Sequence, residues 1–100
     1  MQMLEPLNNA KTRKLKALAQ RLDASLKVGK SGLSEGFIQT LNTELDRHEL
    51  VKVKFADLKE RRKELAPELA EKSNSHLVTL VGNVVVLYRP RAESPAVLLP

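Results

Sequence analysis

Residues 26–38 read Leu-Lys-Val-Gly-Lys-Ser-Gly-Leu-Ser-Glu-Gly-Phe-Ile, and this stretch decides the fold. Leu26-Lys27-Val28 is a short strand that Gly29 ends. Gly29-Lys30-Ser31-Gly32 is a loop, and Ser34 is a good N-cap for the helix that follows, with Glu35 at the positive end of its dipole. Phe37, Ile38, Leu41 and Leu45, with His48 as a further candidate, form the inner face of that helix, while Gln39, Asn42, Thr43, Asp46 and Arg47 point outward. The next segment, Leu50 to Ala56, alternates: Val51, Val53 and Phe55 on one side, Lys52 and Lys54 on the other, as in a half-buried strand. Strand, helix, strand implies a parallel, right-handed crossover.

Upstream, Leu15, Leu18, Ala19 and Leu22 fall at i, i+3, i+4 and i+7, so a helix is expected from Asn9 to about Leu22, capped by Asn8 or Asn9. Arg13, Lys14, Lys16 and Arg21 make it basic outside its apolar stripe. Downstream, Asp57 to about Lys72 is a charged helix with Leu58, Leu65 and Leu69 inward. Pro67 either kinks it or marks where the helix proper begins. Segments 76–81 and 84–89 are strands joined by Gly82-Asn83, a two-residue hairpin signal. The order αβαβαββ gives an α/β two-layer sandwich, a four-stranded mixed sheet with the helices packed on one face. One domain is expected over residues 9–90, with a flexible lead-in at 1–8 and a tail at 91–100.

The chain has 100 residues, 17 Lys and Arg against 12 Asp and Glu, and a formal charge of +5. That excess favours polyanion partners through counterion release. Cysteine is absent, which excludes disulfides and thiolate metal sites. No apolar run reaches a membrane span and no signal-peptide pattern opens the chain, so a cytoplasmic protein is expected. His48 and His76 are the only histidines, too few for a metal site. Neither a Ser/His/Asp or Cys/His constellation nor a carboxylate pair stands out. No catalytic residue, metal, cofactor or small-molecule substrate is therefore expected.

Three of the four glycines fall within residues 29–36. Glycines let a ligand approach the main chain. A loop whose N–H groups point outward beside a helix N-terminus attracts anions; Lys30 adds charge and Ser31 a hydroxyl. A bare GxxG is most often only a turn, but its position between strand and helix, near a basic helix, favours a sugar-phosphate ligand. It is neither a P-loop nor a dinucleotide fingerprint. Arg13, Lys14 and Arg21 would extend the positive patch; Lys52 and Lys54 would line an open sheet face, and Arg89, with Arg91, would reach phosphate at the end of the last strand. Each of these has a plainer reading as solvated surface charge. Tyr88, the sole tyrosine, reads as core or boundary rather than as a base-stacking platform.

The stretch VGKSGLSEGF at 28–37 resembles the signature of the CRM domain family (chloroplast RNA splicing and ribosome maturation), whose stand-alone bacterial members are called YhbY-type. HELVKVKF at 48–55 and VVVLYRP at 84–90 agree with it, so the resemblance covers roughly residues 10–90. It implies a compact RNA-binding domain whose fold resembles the C-terminal domain of translation initiation factor three. It also implies a GxxG loop at Gly29, Lys30, Ser31 and Gly32, and a glycine at Gly36 where a Cβ would crowd that loop. Bacterial members of the family are associated with precursors of the large ribosomal subunit, plant relatives with intron splicing. Pro67 departs from the family's helix, and the tail takes no role. The expected partner is thus RNA, ribosomal RNA or pre-large-subunit particles, bound by a monomer. The competing readings are a protein-interaction module docking a ribosomal or other protein on the open sheet face, and an enzyme acting on nucleotides through the glycine loop.

Overall fold

The computed structural model describes residues 5–91. The elements are α1 (Asn9–Ala19), β1 (Leu26–Val28), α2 (Glu35–His48), β2 (Leu50–Phe55), a 3-10 turn at Lys59–Arg61, α3 (Arg62–Lys72), β3 (His76–Val81) and β4 (Val84–Tyr88). The expectations for the lead-in and tail fall largely on residues 1–4 and 92–100, outside those described.

Local chemistry explains the boundaries. Asn8 caps α1, its side chain accepting from the Lys11 amide at 2.8 Å. Ser34 caps α2 by accepting from the Phe37 amide at 3.2 Å. The hairpin turn carries a positive φ of 58° at Gly82, which the tight β3–β4 connection requires. Pro67 lies inside α3, which begins at Arg62. Lys63, whose carbonyl would receive the missing amide, is exposed, as is Pro67, so the lost hydrogen bond falls on the exposed side of the helix.

The sheet order is β1-β2-β4-β3. β1 and β2 are parallel; β2–β4 and β4–β3 are antiparallel, and a bulge between Leu77 and Thr79 shifts the last register. The α/β class, element order and mixed sheet are those expected. The placement of the helices differs. One core joins Val51, Val53, Phe55, Val85 and Leu87 of the sheet to Leu41 and Leu45 of α2 and Leu65 and Leu69 of α3. A second joins Leu15 and Ala19 of α1 to Leu50, Val78, Val86 and Tyr88 on the opposite face. So α1 does not share a face with α2 and α3. The alternation in β4 gave no preference for either face because both are buried: Val86 and Tyr88 under α1, Val85 and Leu87 under α2 and α3. Tyr88 is only 3% exposed.

On the α1 side the registers define three rows across the sheet. Leu50, Tyr88 and His76 form the first row; Lys52, Val86 and Thr79 the second. Lys27, Lys54, Val84 and Val81 form the third, beside the end of β1 where the glycine loop begins.

Candidate nucleic-acid interface

The loop is a hydrogen-bonded turn: the Gly32 amide donates to the Gly29 carbonyl at 3.0 Å. Gly29, Lys30 and Ser31 are exposed, and Gly32 is half-buried. The turn rests on the segment after β2. There the amides of Ala56 and Asp57 both donate to the Val28 carbonyl, at 3.1 and 3.0 Å. The Asp57 carboxylate is turned back to accept from the Leu58 amide at 2.8 Å.

The glycines differ in what the fold asks of them. Gly32 has φ 65°, and a Cβ there would lie 3.3 Å from Leu58 Cδ1, so both conformation and space call for glycine. Gly29 has no positive φ, and an added Cβ would meet nothing within 4 Å. Gly36 is equally open, which corrects the expectation that a Cβ there would crowd the loop. Neither φ nor space at the Cβ therefore demands glycine at 29.

Lys30 takes part in no ion pair among the described residues. The exposed amides of Lys30 and Ser31 occupy the two central positions of the turn, where they donate to no group among the described residues. Two N–H groups, a hydroxyl and an ammonium thus meet solvent together, a few residues before the N-terminus of the 14-residue helix α2.

The other expected site residues divide. Arg13, Lys14 and Arg21 are exposed along and just beyond α1. Lys54 is exposed in the third row, and Lys27, which sequence reasoning left out, is its register partner. The signal for Lys27 was the parallel crossover, which sets β1 beside β2, though not in which register. Lys59, also exposed, follows the Leu58 that packs beneath Gly32.

Lys52 and Arg89, both expected to contact the ligand, make bonds within the fold itself. Lys52 Nζ donates to the carbonyls of Ala19 and Leu22 at 3.0 and 2.8 Å. It therefore satisfies the carbonyl end of α1, where a cation is favoured, and ties that helix to β2. Arg89 reaches inward: Nη1 donates to Asn42 Oδ1 at 2.9 Å and to the Ser73 carbonyl at 2.6 Å. Its Nη2 donates to the Asn42 carbonyl at 3.2 Å and to Asp46 Oδ1 at 2.9 Å. Arg91 donates from Nε to the Asp46 carbonyl at 3.0 Å and from Nη2 to the Arg47 carbonyl. Both arginines hold the C-terminal half of α2, whose orphan carbonyls were not visible in the spacing of the sequence.

His48 is exposed rather than packed inward, with Nε2 3.6 Å from Glu44 Oε2. His76 stacks on Tyr88 with ring centroids 6.2 Å apart, and its burial holds its pKa below the usual histidine value. Burial, then the charge of Glu49, raises that of the Tyr88 phenol. The described residues hold no cluster of three or more His, Cys, Asp or Glu placed to bind a metal. No helix among them is long and apolar enough to cross a membrane.

Fold and loop together define a class: a small α/β domain presenting a cationic, glycine-bounded turn between a parallel strand and the helix that follows it. The CRS1 / YhbY (CRM) domain matches residues 7–89, and the chain belongs to that family. It is 35% identical over 81 residues to a Haemophilus influenzae protein named "RNA-binding protein", covering 80% of this chain and 82% of that one. It is 32% identical to the Bacillus subtilis "Probable RNA-binding protein YqeI", over 94% of this chain and 99% of that protein. The solution structure of the hypothetical protein SAV1595 from Staphylococcus aureus superposes with a TM-score of 0.79 at 33% identity, over 95% of this chain and all of that one.

Proposed function

We propose that this protein binds structured RNA, without catalysis, by seating a backbone phosphate on the Gly29–Gly32 turn, and that it does so as a cytoplasmic monomer during assembly of the large ribosomal subunit. The observation that carries the reading is at Gly29. Gly29 is exposed, and neither a left-handed φ nor a clash at its missing Cβ requires glycine there. Close approach of a ligand to the main chain is the remaining physical use. Lys30 beside it, with no ion-pair partner among the described residues, sets the sign of that ligand. Relatives named as RNA-binding proteins support RNA as the polyanion; the ribosomal setting rests on what is associated with bacterial members of the family.

Recognition by backbone and shape follows from the aromatics. Phe55 and Tyr88 are buried and Phe37 is half-buried, so no exposed stacking platform lies beside the loop among the described residues. Backbone recognition suits helical or structured RNA better than single strands read base by base.

The competing protein-docking reading loses most of its proposed surface, since α1 covers the first row of the sheet and reaches the second. What favours it is a cleft of about 620 Å³ at the sheet edge, walled by Leu18, Leu22, Leu50 and Val51. Crosslinking in cells followed by sequencing of bound RNA tests the proposal. Reads concentrated in large-subunit ribosomal RNA are expected. Complexes that survive nuclease with no RNA recovered would replace the proposal with the docking module.

A further inference from the structure

We infer that the third row of the sheet, Lys27–Lys54–Val84–Val81, is a second RNA-contact site, in which the two lysines hold a phosphate and the two valines support the adjoining sugar and base. The inference rests on the RNA-binding reading above and adds to it the path of the RNA: from the glycine turn across the sheet towards the β3–β4 hairpin.

The row follows from the registers. Lys27 pairs with Lys54 across parallel strands, Lys54 with Val84 and Val84 with Val81 across antiparallel ones. Register partners share a face and neighbouring strands lie about 4.8 Å apart, so the four side chains span roughly 14 Å in a line. That is on the scale of two nucleotides of backbone. The first row, by contrast, lies under α1, and the Lys52 ammonium marks where the helix ends.

Two features of this row are costly for a protein alone. Like charges on directly paired residues repel. Both lysines are exposed, and neither has a carboxylate partner among the described residues. Val81 is 69% exposed, the most exposed large apolar side chain described, on an edge strand where a bare apolar residue invites unwanted pairing. A phosphodiester would neutralise the first liability and a ribose or base face would cover the second. The row is also continuous with the turn: Lys27 lies two residues before Gly29, and the hairpin at its other end is fixed by the Phe55 amide donating to the Asn83 carbonyl at 2.7 Å.

The test uses the full chain and a fluorescently labelled RNA hairpin carrying 4-thiouridine. Lys27→Ala with Lys54→Ala should lower the slope of log affinity against log salt by about 1, since the one phosphate the pair holds returns to counterions. Val81→Asp should weaken binding, and Val81→Lys should not. All these side chains are exposed, so melting temperatures should stay near the parent's. Crosslinked peptides should include residues 76–84. If the parent binds the hairpin while the row variants bind with the parent's affinity and slope, the row does not touch RNA and the turn reading stands. If Lys30→Ala with Ser31→Ala also leaves binding unchanged, the turn reading fails as well.

Discussion

Replacing Arg89 by alanine separates a structural arginine from an RNA-binding one. The guanidinium is 19% exposed and joins three elements, donating to Asn42 in α2, to the Ser73 carbonyl just after α3, and to Asp46. A hydrogen bond from a charged donor contributes about 1.5–3 kcal/mol, but bonds made by one group are not additive. The Asp46 interaction adds little, because that carboxylate is 76% exposed and screened. The Ser73 carbonyl belongs to a residue only 1% exposed, so truncation strands a buried acceptor. A loss of about 3 kcal/mol is expected, the lower end of what removing one partner from a buried polar network costs. For a domain of this size that lowers the melting temperature by roughly 12–24 °C. Arg89→Lys, which keeps the charge but not the fork, should recover less than half. Circular dichroism gives the melt, and RNA affinity measured well below it gives function. Folded Arg89→Ala should bind RNA like the parent. A melting temperature within about 3 °C of the parent, combined with lost RNA affinity, would show that the arginine serves the ligand.

Gly32→Ala should destabilise by about 1 kcal/mol or more, from its left-handed φ and the close Leu58 methyl. Gly36→Ala, in the first turn of α2 with open space, should be neutral or stabilising by up to about 1 kcal/mol; urea melts decide both. Gly29→Val should leave stability near the parent's and weaken RNA binding, and unchanged affinity would remove the case for close approach there. Lys52→Met keeps the stem but strands the Ala19 and Leu22 carbonyls, so a cost of about 1–3 kcal/mol is expected, with α1 amides losing hydrogen-exchange protection first. The His76 pKa is lowered by burial, so the unfolded chain takes up the proton first as pH falls. Its contribution is therefore fully present above about pH 6.5 and shrinks as pH drops below that towards the folded value. His76→Gln should flatten the melting temperature over that window, and an unaltered pH profile would contradict it.

The sequence made the β-turn-α unit at 26–38 legible because three independent local signals coincide there: a terminated strand, a glycine-bounded turn and a serine cap. The period-two pattern of 50–56 and the Gly82-Asn83 hairpin were readable for the same reason. The side of the sheet that α1 occupies was not, because a basic helix with one apolar stripe packs equally well on either face until the other face is full. The internal partners of Lys52 and Arg89 were illegible for one shared reason. Both are expected at a ligand-facing surface, yet the carbonyls they satisfy lie 30 or more and 16–47 residues away in the chain. Long-range pairing of a cation with helix ends leaves no spacing to read. Lys27 was missed for the converse reason: its importance comes from a neighbour on another strand.

The most direct measurement is the affinity of Lys30→Ala with Ser31→Ala for a structured ribosomal RNA fragment, followed from low to physiological salt beside the parent. Weaker binding is expected, with a slope of log affinity on log salt shallower by about 1 and an unchanged melting temperature. Equal affinity and equal slope in a folded double variant would contradict phosphate binding at the glycine turn.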